Sequence, residues 1–190
     1  MKLQSMILTA LFAAIVAALG LIPAIPLPFT PVPITAQTLG VMLAGAVLGA
    51  RLGGASMLLF VLLVAVGAPV LSGGRGSLAV LLGPSGGYIL SWPIAAFVTG
   101  LLADRFQSKL KLWNMILFNI IGGIIIVYLI GISYLAFVSD MTFNQAAFSA
   151  LAYIPGDVVK AVVAGVVALQ VRSSAPVVKY RESRKRNQTA

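Results

Sequence analysis

The residues with the clearest chemical potential lie in Ile154-Pro155-Gly156-Asp157-Val158-Val159-Lys160. Asp157 and Lys160 are three apart, so a helix projects both from one face. Pro155 suits the first turn of such a helix, where its missing N–H is not needed. Everything from Ala161 to Leu169 is apolar, which places the pair at or within a membrane boundary. Ionisable groups there are expensive and usually face a bundle interior or a wet cavity. The carboxylate can accept hydrogen bonds from ligand N–H groups, and the ammonium can hold a ligand anion or carbonyl. The same pair can equally be an ion pair that only fixes helix packing.

A second cluster is Ser72-Gly73-Gly74-Arg75-Gly76-Ser77, followed by Gly83-Pro84-Ser85-Gly86-Gly87-Tyr88. Glycines such as Gly73 and Gly74 let backbone N–H groups approach a ligand closely and adopt positive φ. Together the two runs resemble a cradle that ends at Tyr88, and Arg75 within it points to an anion-facing role. It is not a phosphate loop of the Walker type, because no Gly-Lys-Ser/Thr follows a strand. The plainer reading is a tight turn joining two helices. Gln37 can donate and accept near the same surface, or it can serve as glue between helices. Between residues 23 and 33 five prolines make a stiff, extended stretch, long enough to act as a lid whose motion gates a cavity.

These groups need a scaffold, and composition says which solvent it lives in. Hydrophobic residues make up 60% of the 190 and charged residues 9%, with a mean hydropathy of +1.06. Soluble domains carry about 25% charged residues, so lipid is the solvent that suits this surface. The expected fold is an all-α integral membrane protein, a single membrane domain over residues 1–190 with a basic cytoplasmic tail at 172–190. Apolar runs of roughly membrane-spanning length predict six helices: Leu3 to Ile22, Thr35 to Ala50, Ala55 to Val66, Gly87 to Ala103, Leu112 to Val138 and Ile154 to Arg172. Arg51 to Gly54 punctuate the second and third, Gly67 to Pro84 reads as a loop, and Ser139 to Phe148 as mostly an interfacial loop.

The net charge of +9 is segregated rather than spread along a face. No basic groove interleaved with aromatics appears, which argues against nucleic acid. With the N-terminus inside, Lys2, Arg51, Arg105, Lys109, Lys111 and the six basic residues from Arg172 onward are cytoplasmic, eleven of thirteen, as the positive-inside rule demands. Both termini are then cytoplasmic. The two exceptions are Arg75 and Lys160, the cations already singled out. The chain has no Cys and no His, and only four acidic residues. That removes disulfides, thiol chemistry, the usual zinc sites and an imidazole base, and the expectation is a non-enzyme without metal or cofactor. Ala10, Ala14 and Ala18 recur at spacing four in the first helix. Small residues so spaced admit another helix backbone, either within this bundle or from a partner.

In order and spacing, Pro31-Val32-Pro33-Ile34-Thr35-Ala36-Gln37-Thr38-Leu39, the glycines at 73–76, Gly83-Pro84-Ser85-Gly86-Gly87-Tyr88 and Pro155-Gly156-Asp157-x-x-Lys160 resemble the BioY family, the biotin-specific substrate-binding components of energy-coupling factor (ECF) transporters. The resemblance covers nearly the whole chain. It implies a six-helix protein of the prokaryotic plasma membrane that captures one biotin near the outer surface and performs no catalysis. It also implies docking, through the small residues of the first helix, onto a shared transmembrane coupling subunit driven by two ATPase subunits. Toppling of the binding subunit in the lipid would carry the site inward. Asp157 would accept from the ureido N–H with Lys160 beside it, and Arg75 or Lys160 would meet the tail carboxylate. The alternative is a self-sufficient secondary transporter for a small vitamin-like substrate. Asp157 is available for ion coupling, but the two halves show no repeat. An intramembrane protease lacks its general base or second aspartate.

Overall fold

The computed structural model describes residues 3–107 and 110–174. Lys2, Lys109 and the basic residues from Lys179 onward, which entered the charge count, lie outside these. The described chain is mostly helical: α1 (Leu3–Leu19), a hairpin of β1 (Ile25–Leu27) and β2 (Thr30–Ile34), α2 (Gln37–Leu48), α3 (Ala50–Ala65), a short α4 (Leu78–Leu82), α5 (Gly86–Arg105), α6 (Leu112–Ile120), α7 (Val127–Val138), α8 (Phe143–Ala150) and α9 (Ile154–Ser173). A π-helical segment, Ile121–Ile126, joins α6 to α7 without a break. A 3₁₀ turn, Leu151–Tyr153, joins α8 to α9.

Among the described residues, three helical runs are long and apolar enough to cross a membrane: Gly86–Arg105, Leu112–Val138 and Phe143–Ser173. Leu3–Leu19, Gln37–Leu48 and Ala50–Ala65 are apolar but shorter. Helices that are hydrophobic all round belong in a core or in lipid, and large side chains such as Leu62, Leu129 and Phe137 stand exposed on the outside. α2 packs against α1, α3, α5 and α9. Its 12 residues span only about 18 Å at 1.5 Å per residue, and the space beyond its N-terminus is where the site lies.

Four local expectations are corrected. The break between the second and third helices falls at Gly49 rather than at Arg51 to Gly54. Gly49 has φ +83°, a conformation that glycine adopts without penalty, and the Asp104 carboxylate accepts from the Ala50 N–H at 3.0 Å, capping α3 from another helix. The proline stretch is an antiparallel hairpin with Ile25 opposite Ile34 and Leu27 opposite Thr30. A two-stranded ribbon leaves every residue on an edge, where proline is tolerated. The segment expected as an interfacial loop contains α8, started by a capping box in which the Thr142 hydroxyl accepts from the Gln145 N–H and the Gln145 side chain accepts from the Thr142 N–H. The glycine-rich loop carries α4, whose N-cap is Ser77.

Arg172, grouped with the basic tail in the sequence reading, is buried in the last turn of α9. Its Nε donates to the Ala46 carbonyl, Nη1 donates to Ala103 O at 3.1 Å, and Nη2 pairs with Asp104 at 3.1 Å. Because Ala50 N turns to Asp104, Ala46 O needs another donor, and Arg172 supplies it. This ties the ends of α2, α5 and α9 together, opposite the N-termini of α2 and α9.

Candidate functional site

At that other end a partly open cavity lies between the hairpin, α2, the Leu71–Arg75 turn, α5, α7 and α9. The polar centre comes from the starts of α9 and α2. Lys160 and Asp157 sit one above the other on α9, with Nζ and Oδ1 2.8 Å apart. Nζ also donates to Thr35 O at 2.6 Å and Thr38 Oγ1 at 3.0 Å, so all three ammonium protons have acceptors. Asp157 Oδ1 additionally accepts from Thr38 Oγ1 at 3.1 Å, and Oδ2 accepts from the Tyr128 hydroxyl at 2.7 Å. The carboxylate side chain is 6% exposed and the lysine side chain 17%. The pair is neutral in sum, hydrogen-bonded throughout and still faces the cavity. That is the condition under which charge survives in a low-dielectric site.

Aromatic rings form one wall. Tyr88, Tyr128 and Tyr153 meet edge to face, with centroids 6.3 to 6.4 Å apart, an arrangement favoured by ring quadrupoles. The Tyr153 hydroxyl donates to Val32 O at 2.8 Å and lies 3.1 Å from Thr30 Oγ1, so it fastens the hairpin over this wall. Val32, Ile34, Leu71, Ile89 and Trp92 complete an apolar lining.

Of the sequence candidates, Asp157, Lys160, Arg75, Gln37 and Tyr88 all line this cavity, although they come from four separate segments. Gln37 is fully buried, and both its amide protons are engaged, donating to Val16 O at 3.0 Å and Val70 O at 3.1 Å. Its Oε1 accepts from Ser72 N at 3.2 Å. It therefore fixes the turn against α1 and α2 more than it offers groups to a ligand. Gly73 and Gly74 take φ of +80° and +67°. They stand exposed outside the lining and make the tight turn that pairs Leu71 with Arg75. Arg75 lies exposed at the mouth with Nε donating to Ser72 O at 3.2 Å, and its terminal nitrogens have no hydrogen-bond partner among the described residues. Ala10, Ala14 and Ala18 are exposed on the outer face of α1 and are not part of the cavity lining, whereas Ala13 packs inward.

Tyr128, Tyr153, Trp92, Thr35 and Thr38 are lining residues to which the sequence reading gave no role. Tyr128 had a faint signal, a polar-tipped side chain inside an apolar 27-residue run. Tyr153 and Trp92 had none, because their roles depend on which helices adjoin.

The sequence model described as the BioY family matches residues 1–177. The chain is 50% identical over 186 residues to the biotin transporter BioY of Rhizobium etli, covering 95% of this chain and 100% of the relative. It is 46% identical over 171 residues to the probable biotin transporter BioY of Bacillus subtilis, covering 90% and 91%. The fold matches the crystal structure, at 2.1 Å, of the S-component for biotin from an ECF-type ABC transporter, with a TM-score of 0.88, 34% identity and coverage of 92% and 93%. In sequence over nearly its full length and in fold alike, the chain belongs to the BioY family.

Proposed function

We infer that the protein is the biotin-capture subunit of an ECF-type vitamin uptake transporter in a prokaryotic cell membrane. The observation that carries this reading is the cavity itself: one carboxylate with hydrogen-bond acceptors, cations beside it and at the mouth, and an apolar aromatic wall between them. Biotin has the matching parts, namely a ureido ring with two N–H donors, an apolar bicycle and an anionic tail. Asp157 is the acceptor for a ureido N–H, Lys160 is held beside it, and Tyr88, Tyr128 and Tyr153 flank the bicycle. Arg75, exposed with its terminal nitrogens unengaged by the described residues, is the better placed cation for the tail carboxylate. Membership of a family with named biotin transporters supports the ligand.

The orientation follows from charge. Among the described cations, Arg51, Arg105, Lys111 and Arg172 lie at the end opposite the cavity, by the direction in which their helices run, and only Arg75 and Lys160 lie at the cavity. The positive-inside rule then puts the cavity at the outer surface. Six membrane segments and cytoplasmic termini accord with three long and three shorter apolar helices. The chain carries no nucleotide-binding motif, so ATP would be hydrolysed by separate subunits coupled through a transmembrane partner. The exposed Ala10, Ala14 and Ala18 row is the docking face proposed for that partner. Catalysis has no part in this reading.

The test is equilibrium binding of biotin to the purified chain in detergent, without any ATPase. One-to-one saturable binding is expected. A folded protein that takes up no biotin would refute the assignment.

A further inference from the structure

We propose that Trp92 and Tyr88 form a donor pair on α5 that recognises a hydrogen-bond acceptor on the ligand's ring system and thereby helps to set which ligand is retained. The inference rests on the biotin reading and adds to it a specificity element on α5, separate from the Asp157–Lys160 pair.

Both side chains line the cavity and are almost wholly buried, 4% exposed for Trp92 and 8% for Tyr88. Yet the indole Nε1 and the phenol oxygen have no hydrogen-bond partner among the described residues. Buried polar groups are rarely left so, and an unmet donor carries its full desolvation penalty. The contrast with the rest of the site is sharp. Gln37, Lys160, Tyr128 and Tyr153 all direct their donors to protein acceptors.

The two residues are four apart on one helix, so they occupy the same face one turn apart. Neither is free to swing away in search of a partner. Tyr88 is held edge-on by Tyr128 and Tyr153 and lies so close to Gly131 that a Cβ there would stand 2.5 Å from its ring. Trp92 packs against Phe60 with ring centroids 5.6 Å apart. Donors fixed in this way are preorganised, and a ligand that meets them loses little to ordering.

An indole N–H can only donate, so its partner must carry lone pairs, and a hydrocarbon ring would leave it unmet. Biotin offers two ring-borne acceptors, the ureido carbonyl and the thioether sulfur. Both present the chemistry this wall requires, and dethiobiotin separates them, because it keeps the ureido group and the tail but lacks sulfur.

The experiment is calorimetric titration of the purified full chain with biotin and with dethiobiotin, for the wild type, Trp92→Phe and Tyr88→Phe, together with thermal unfolding with and without ligand. Each substitution removes a donor and nearly conserves shape. Biotin affinity should fall on the order of 10-fold, and the biotin-induced rise in Tm should shrink. The ligand-free Tm should stay level or rise, whereas a purely structural role would lower it. An equal loss for dethiobiotin assigns the acceptor to the ureido carbonyl. A loss confined to biotin assigns it to the sulfur. Unchanged affinity of both variants for both ligands overturns the proposal. Failure of the wild type to bind either compound would instead remove the biotin reading on which it rests. Should Trp92→Phe aggregate, Tyr88→Phe, which deletes a single oxygen, still decides the matter.

Discussion

Replacing Asp157 by Asn removes a charge from a carboxylate that holds three protein partners: Lys160 at 2.8 Å, Thr38 at 3.1 Å and Tyr128 at 2.7 Å. Two consequences follow, and they have different sizes. In the ligand-free protein the ammonium of Lys160 loses its counter-charge. Breaking a fully buried pair costs about 3–5 kcal/mol. Lys160 is 17% exposed and lines a partly open cavity, so solvent screening reduces the loss of stability to about 1–2 kcal/mol. In the complex, a charge-assisted hydrogen bond from a ureido N–H becomes a neutral one or is lost. That costs about 1.5–3 kcal/mol, a Kd raised roughly 10- to 150-fold. Calorimetric titration with biotin and thermal unfolding in detergent measure the two separately. Adding Lys160→Met should recover the stability, because the unpaired charge is gone, but not the affinity. A folded Asp157→Asn protein with wild-type affinity would refute the reasoning and leave the pair as a packing device.

Three further outcomes are expected. Ala14→Trp, on the exposed face of α1, should abolish ATP-driven uptake in cells while leaving biotin binding in detergent unchanged; lost binding would place that face inside this bundle's own packing. Tyr153→Phe keeps the ring in the aromatic wall but frees the hairpin from its bonds at Val32 and Thr30, so stopped-flow association and dissociation of biotin should both accelerate several-fold while Kd moves little. Unchanged rates would show that the hairpin does not gate the cavity. Arg172→Ala should lower stability by about 3 kcal/mol by leaving buried helix-end carbonyls without donors, read as a depressed Tm with unaltered biotin affinity; an unshifted Tm would contradict the role assigned to it.

Much of this protein was determined by composition and local pattern alone. With 9% charged residues no polar exterior can be assembled, so the lipid environment follows from counting. Apolar run length located the long helices, including the whole of 112–138, since hydrophobicity over 20 residues is a local property. Asp157 and Lys160 were conspicuous because an ionisable pair three apart beside an apolar run stands out in one dimension. The tertiary structure decided what no local pattern encodes. The break at Gly49 depends on a carboxylate 55 positions away, and the fate of Arg172 depends on carbonyls of two other helices. Gln37 and Gly73 were visible as chemistry but became positioning elements once their neighbours were known. Tyr128, Tyr153 and Trp92 are ordinary aromatic residues of apolar segments until α5, α7 and α9 converge. Binding character there arises from what a side chain faces, and the packing of distant segments determines that.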